Sequence, residues 1–555
     1  MSIVTLRSLS RSKTTLYLSF ALLAAVTVYC VWYANYYLSG NSDDIVYPYL
    51  FSHFQFHDII LPGQHSNILK FPLFILQAIL PYNFTTFTIV NMGLVLTTTL
   101  AWAAMLVWLF GKRYAPIICL SFVSVLLGSQ LLNYDLVGTT IRNIEYPIVL
   151  GFVIYSGLLL RKQKMSNRKL VVGGILGLLY ALTLAGDSFF FYTIFVSLFA
   201  VTAFLWFIAD KKTGQQKLLV TVMAYICGFS ALALVIRLAV KVLGIARYYT
   251  AGVFLPHVLP LNHLAPSIST ATTQLLNLFD ANIFGQKASL SNNLVFLNFL
   301  LLVAGLVGLL YILHDVYTAV SRKDLLARVN FARVFTLGVM ALSFFVTYVM
   351  YIMSDSVVSQ TAAGQIVSTN QDRYLAMLPL LLVIGIAYLV WRKFDKRQLI
   401  FLGLPLLIMV VLLVNSISIK HGHIYNGALR EGEIAVAQAA TAHHVPLLIT
   451  GYWYGASTRF WSHDKVMFTS VAACNQPQPT FNNRLSWYKP SPVIHSSALV
   501  VAPNGADSIF WQCTDKQLVN IYGQPTKIIH INVGDKPDLW LYNYDVRSKI
   551  LPMTY

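Results

Sequence analysis

The chain has 555 residues, 57% of them hydrophobic and 11% charged, with 39 Lys and Arg against 21 Asp and Glu for a net charge of +18. Soluble domains carry about 25% charged residues, so an ordinary soluble enzyme is excluded. In a soluble protein such a charge would point to nucleic acid, but in a membrane protein the position of the charges decides their meaning. Five cysteines, no two at CxxC spacing, make neither a disulfide scaffold nor a paired-cysteine metal site.

A bilayer core of about 30 Å needs about 20 apolar residues per helix. In chain order the apolar segments are 15–38, 84–110, 115–132, 147–160, 170–186, 188–209, 218–241, 293–313, 332–353, 374–391 and 398–417, about 11 transmembrane helices. Segment 147–160 is short. The stretch 170–209 contains a single acid, Asp187. As one helix it would reach about 60 Å, so it is expected to fold as a hairpin turning at Asp187. The first segment is followed by no small-residue cleavage pattern and reads as an uncleaved anchor.

Basic residues occupy alternate connections: Arg7 to Lys13, Lys112-Arg113, Arg161 to Lys169, Lys211 to Lys217, Arg322 to Arg333 and Arg392 to Arg397. With eleven crossings they all fall on one side, which predicts a cytoplasmic N-terminus and an external C-terminus. Omitting either segment 147–160 or the break at Asp187 would place later basic loops outside. These connections hold 21 of the 39 Lys and Arg but only four acids, Asp210, Asp315, Asp324 and Asp395, so the net charge is mainly a topology signal.

The external pieces are 39–83, 133–146, 244–292, 354–373 and a tail from about 420. In the tail, 427–444 and 507–523 read as helices. The runs 446–452, 465–472, 497–503, 526–532 and 538–544 are rich in β-branched and aromatic residues and read as strands. The expectation is an α-helical polytopic membrane protein, 1–419, followed by a small extracytoplasmic α/β domain, 420–555. The sequence has no internal repeat to support an inverted-repeat transporter.

Nine acids fall in external loops or at external helix ends: Asp43, Asp44, Asp58, Asp135, Glu145, Asp187, Asp280, Asp355 and Asp372. The sharpest feature is Asn41-Ser42-Asp43-Asp44, just past the first segment. Adjacent carboxylates repel. In the functional reading one is a general base on an acceptor hydroxyl and the other orients it, or both hold a divalent cation, Mg or Mn, against a phosphate. The alternative is a solvated turn. The apolar stretch Ile68 to Leu80 is too short to span and is expected to lie in the interface, beside a lipid-substrate entrance. Asp372-Arg373-Tyr374 opens the tenth segment, with Pro379 behind it. An arginine there pairs a phosphate bidentately, or with the tyrosine anchors the helix at the interface.

The acid pair and the Arg-Tyr…Pro pattern together resemble the GT-C glycosyltransferases, which include protein O-mannosyltransferases, lipid A aminoarabinose transferases and arabinosyltransferases. The resemblance covers the plan of the chain: an acidic motif in the first external loop, many helices and a C-terminal extracytoplasmic domain. It implies a polyprenyl-phosphate sugar donor and a glycan, lipid or protein acceptor. Transfer would occur at the outer face of a plasma membrane, a bacterial inner membrane, with membrane lipids as the other partners and no nucleic acid. Asp43 or Asp44 would be the base of an inverting displacement, and Arg373 would meet the carrier phosphate. The Asp-Asp of this chain departs from the Asp-Glu of the mannosyl and aminoarabinose branches. The scheme requires no cofactor, although a divalent cation on Asp43 and Asp44 is compatible with it.

Further candidates are open to two readings each. Arg142 and Glu145 supply a second phosphate contact and a substrate-orienting acid, or a local i,i+3 ion pair. Asp187 is costly at a membrane unless hydrated or used. Arg237, Lys241 and Arg247 run against the positive-inside trend and either attract the carrier phosphate or snorkel. His53 and His57, spaced i,i+4, and nearby His65 lack an HExxH context, so zinc is not expected. Tyr452-Trp453-Tyr454, Trp461 and Trp487-Tyr488 stack on sugar rings or, preferably, pack in a core. Cys474 and Cys513 can pair outside the cell, while Cys30, Cys119 and Cys227 read as packing residues. A transporter or flippase would need ionisable groups deep within the helices, and here the charges sit near helix ends. A non-catalytic component of cell-surface polysaccharide assembly is the third reading.

Overall fold

The computed structural model describes residues 13–37, 42–52, 54–62, 66–80, 83–128, 136, 142–160, 166–209, 214–249, 258–285, 290–321, 331–355, 357–360, 366–368, 372–393, 427–478, 483–501, 513–534 and 536–552. The apolar segments form helices. These are α1 (Lys13–Tyr37), the short α2 (Ser42–Phe51) and α3 (Phe71–Ile79), then α4 (Phe84–Phe110), α5 (Ala115–Gly128), α6 (Glu145–Leu159) and α7 (Asn167–Gly186). After them come α8 (Ser188–Ile208), α9 (Gln215–Val242), α10 (Leu264–Leu278), α11 (Leu290–Ser321), α12 (Phe331–Ile352) and α13 (Met377–Lys393). Among the described residues seven of these, α1, α4, α7, α8, α9, α11 and α12, are long and apolar enough to cross a membrane. The chain is therefore built as a polytopic membrane protein. Helices α5, α6 and α13 are shorter, with 14, 15 and 17 residues. The expected segment 398–417 lies outside the described residues.

Asp187 breaks the long apolar stretch, as its lone charge suggested. Its backbone is extended, with φ −148° and ψ 109°, and its carboxylate accepts from Phe189 N at 2.9 Å to cap the next helix. Helix α8 then passes through a π-helical turn, Phe191–Phe195. Helix α13 is buried along nearly its whole length. It meets α11 at Gly308, where a Cβ would stand 1.9 Å from the carbonyl oxygen of Gly385 and neither backbone has room to yield.

The two ends of the bundle differ. At one end Arg333 lies over the Trp391 ring, 5.1 Å from its centroid, Arg392 Nε bonds Asp315 at 3.0 Å, and Phe110 of α4 packs on Trp391. At the other end, about 40 Å away along α4, Phe84 and Phe87 pack on Trp461 and Phe460 of the tail.

Among the described residues four short strands lie between the helices, β1 (Ile59–Pro62), β2 (Arg247–Tyr249), β3 (Val358–Gln360) and β4 (Ile366–Ser368). The tail is a small α/β unit. Helix α14 (Gly427–Ala442) precedes β5 (Leu447–Thr450), α15 (Tyr452–Trp461), β6 (Met467–Ala473) and β7 (Gln476–Pro477). Next come β8 (Asn483–Arg484), β9 (Ser497–Val501), α16 (Asp515–Tyr522), β10 (Lys527–His530) and β11 (Asp538–Tyr542). The sheet order is β10-β11-β9-β5-β6-β7, with β5 parallel to both β6 and β9. Parallel neighbours need a crossover, and α15 supplies it between β5 and β6. The run 446–452 reads as a strand in the sequence, but only Leu447–Thr450 is one, and Tyr452 begins this helix. Strands β5 and β9 are buried throughout, as central strands covered on both faces must be. Cys474 and Cys513 are joined in a disulfide. Of the expected helix 507–523, Asp515–Tyr522 is helical, capped by a Thr514–Gln517 capping box, and 502–512 lie outside the described residues.

Candidate active site

The site lies at the tail-side end of the bundle and is built from three loops. In the first loop, Ser66 N donates to Gly186 O at 2.7 Å, seating residues 66–70 on the end of α7. Only glycine permits this approach, since a Cβ on Gly186 would meet Ile68 N at 2.7 Å. Asn67 takes the left-handed conformation, φ 52°, that turns the chain into the 3-10 helix Ile68–Lys70; asparagine is among the residues that tolerate it.

That turn delivers Lys70 into the protein. Its Nζ lies 3.1 Å from Glu145 Oε1, and both side chains are buried. Glu145 Oε2 also accepts from Asn143 N at 2.9 Å. Glu145 is thus satisfied by Lys70 from the first loop and by its own helix start, not by Arg142. The i,i+3 pair considered from spacing does not form.

Arg142 reaches across to Asp187. Its Nε and Nη2 donate to the two carboxylate oxygens at 2.5 and 3.1 Å, and both residues are buried. A bidentate, charge-assisted pair of this kind is among the stronger polar contacts available. Burial alone would weaken the charge of Arg142, but Asp187 outweighs it and holds the guanidinium above its ordinary value. The same guanidinium lies 4.3 Å from the ring centre of Phe189 and 5.3 Å from that of Tyr374. Asp187 occupies Nε and Nη2, leaving Nη1 outside the pair.

Two motif-bearing elements border this cluster. Helix α2 begins with Ser42-Asp43-Asp44, and one turn later Tyr47 accepts from Asn67 Nδ2 at 3.2 Å and packs on Phe74 at 4.3 Å. The 3-10 turn Asp372–Leu375 carries Arg373 and sets Tyr374 beside Arg142. Asp43, Asp44 and Arg373 are placed by their backbones, and their side chains are outside the description.

The candidates separate accordingly. Arg142, Asp187 and Tyr374 are brought together, and Glu145 joins them through the start of α6. Arg247 instead sits in β2 (Arg247–Tyr249), opposite Ile60 of β1 (Ile59–Pro62), with its side chain exposed. Arg237 is half-buried over the Tyr248 ring at 5.2 Å, and Lys241 is exposed. His57 lies in a turn with φ 62°, and His53 and His65 lie outside the described residues. Of the tail aromatics, Tyr452, Tyr454 and Trp487 are buried in packing positions.

Sequence reasoning missed Lys70, Tyr47 and Asn67. Lys70 had a signal, being the sole charge between Gln64 and Leu80 and standing at the head of an apolar stretch, where an ionisable group is costly unless paired. No known protein-family model and no curated protein matches the chain.

Proposed function

We propose that the chain is an integral-membrane glycosyltransferase that moves a sugar from a polyprenyl-phosphate donor to an acceptor hydroxyl at the external face, with inversion. One observation carries the reading. The elements bearing the acid pair and the Arg-Tyr pair, some 330 residues apart in sequence, border one buried polar cluster at one end of the bundle.

In this scheme Asp43 or Asp44 accepts the proton of the acceptor hydroxyl as its oxygen attacks the anomeric carbon. The bond from that carbon to the carrier phosphate breaks, and the phosphate leaves with the electron pair. Arg373 meets its growing charge, with Arg142 Nη1 as the second donor. Asp187 and Tyr374 orient Arg142. In this scheme the two arginines perform the neutralisation.

The surroundings support a lipid-borne donor. Ile75, Leu76, Ile79 and Leu80 of the α3 segment are exposed apolar residues beside the site, as an interfacial segment requires. The Cys474–Cys513 disulfide suits an oxidising compartment, in agreement with the external tail expected from the basic loops.

The test is the purified full chain with polyprenyl-phosphate mannose, glucose and arabinose, scored for transfer or slow hydrolysis. Loss of turnover in Asp43→Asn or Asp44→Asn at wild-type expression is the expected result. Full turnover in both variants would remove the base assignment. Movement of labelled lipid across vesicles with no product from any donor would favour a transporter.

A further inference from the structure

The tail and the first loop are built into one another. Strand β1 is the centre of a three-stranded sheet, parallel to β2 on one side and antiparallel to β8 of the tail on the other. Directly opposite Ile59 stands Arg484, whose Nε donates to Asp58 Oδ2 at 2.6 Å and whose Nη1 donates to Ser52 O at 2.5 Å. Asp58 accepts two further bonds, from Ser486 N and Ser486 Oγ, both at 2.7 Å. Asp58 and Arg484 are buried, so this is an internal joint rather than a surface contact.

A second joint lies on α2 itself. Tyr452, Ala456 and Phe460 of α15 recur at i, i+4 and i+8, one face of a helix, and belong to the bundle core, whereas Tyr454 belongs to the tail core. The crossover helix of the tail is therefore shared between two cores. Buried Arg459 of the same helix lies 4.2 Å from the ring centre of Tyr49 in α2 and 5.2 Å from that of Trp487, and its Nε bonds Asp464 at 2.6 Å. Tyr49 lies in the last turn of α2, the helix that begins Ser42-Asp43-Asp44, and Ser52 follows its last residue. A short helix pinned at one end by two tail arginines has its other end fixed in direction.

We propose that the C-terminal α/β region is the positioning element for α2, with Arg484 and Arg459 as positioning residues for the Asp43-Asp44 turn. The role of that turn rests on the glycosyltransferase reading, but the docking does not. An acceptor-binding module on a tether would leave β1 with an open edge and Asp58 without its arginine.

Two measurements test the docking without any donor. Paired residues in an antiparallel ladder have Cα atoms about 4.5–5.5 Å apart, within the range of about 4.4–6.8 Å that a disulfide spans. Oxidation of the full chain carrying Ile60→Cys and Asn483→Cys, which are Cα partners, should therefore cross-link them in high yield. Hydrogen–deuterium exchange over 45–62 should accelerate roughly tenfold in Arg484→Gln, and less in the milder Ser486→Ala, with α4 and α12 unchanged. On the donors above, Arg484→Gln and Arg459→Ala should lower kcat roughly tenfold with KM unchanged, and Arg484→Lys should recover part of it. A folded double-cysteine protein that does not cross-link, or exchange over 45–62 that both variants leave at the wild-type rate, overturns the proposal. So does accelerated exchange with unchanged kcat. If the wild-type chain turns over no donor, the glycosyltransferase reading fails, and the cross-link and exchange still decide the docking.

Discussion

Lys70 Nζ sits 3.1 Å from Glu145 Oε1, with both side chains withdrawn from solvent, so the first loop is tied electrostatically to the start of α6. Removing one partner of a buried ion pair costs about 3–5 kcal/mol, because the other charge loses its compensation. Glu145→Gln should lower the unfolding temperature of the purified protein sharply. Lys70→Met with Glu145→Leu should regain most of that loss. An unfolding temperature for Glu145→Gln equal to wild type would show that the pair does not anchor the loop.

The Arg142–Asp187 pair separates shape from chemistry. Lysine cannot reproduce a two-point guanidinium contact, so Arg142→Lys should reduce transfer roughly 100-fold, the order expected for a lost charge-stabilising donor. The double change Arg142→Met with Asp187→Leu should be more stable than either single change, short of wild type by the lost cap on Phe189 N, without restoring turnover. Recovery of both in parallel, read by thermal unfolding and product formation, would make the pair structural only.

The positions of the seven long apolar helices were legible because a bilayer demands such runs, although α11 is longer than its apolar segment, and the break at Asp187 was legible because one charge interrupts a 40-residue stretch that is otherwise uncharged. The tail strands announced themselves through β-branched and aromatic runs, of which β5 and β9 are buried on both faces and β10 is largely exposed. Charge partners were not legible. Spacing offered Glu145 to Arg142, yet the partners are Lys70 and Asp187, which come from other helices and loops. Arg484 lies in a strand of two residues, too short to carry any period. The crossover α15 escaped because Tyr-Trp-Tyr favours strands locally, and only the parallel pairing of β5 with β6 demands a helix there.

Acid should loosen the tail through Asp545. Burial alone would raise this carboxyl, but hydrogen bonds from the Arg547 guanidinium and from the N–H groups of Ser491 and Arg547 outweigh it and hold it below the ordinary value of 3.8. A depressed folded value means that the unfolded chain binds the proton first. The contribution is therefore complete above the ordinary value and is lost as pH falls through the folded one. Denaturant unfolding of the tail, followed between about pH 2 and 6, should show stability rising with pH across that window. Asp545→Asn should be less stable at neutral pH and flatter in acid, and an unchanged slope would remove Asp545 as the cause.

The disulfide should stabilise the tail without reaching the far end of the bundle. Cys474 and Cys513 are 39 residues apart, and closing a loop of that size is worth about 3–4 kcal/mol in the loop-entropy description. Cys474→Ser with Cys513→Ser should lower the tail's resistance to protease and denaturant. Helices α4 and α12 should keep their wild-type exchange rates.

The joint between Asp58 and Arg484 also sets an order of events during biosynthesis. The two residues are 426 positions apart, and at about 5–20 residues per second the ribosome needs roughly 20–85 s to travel from one to the other. Throughout that interval the first loop waits for its third strand and Asp58 waits for its arginine. A chain that stops short of Asn483 never completes that sheet. Such truncated products should be cleared by cellular proteolysis rather than persist with partial activity, which makes the last quarter of the chain the checkpoint for its first loop.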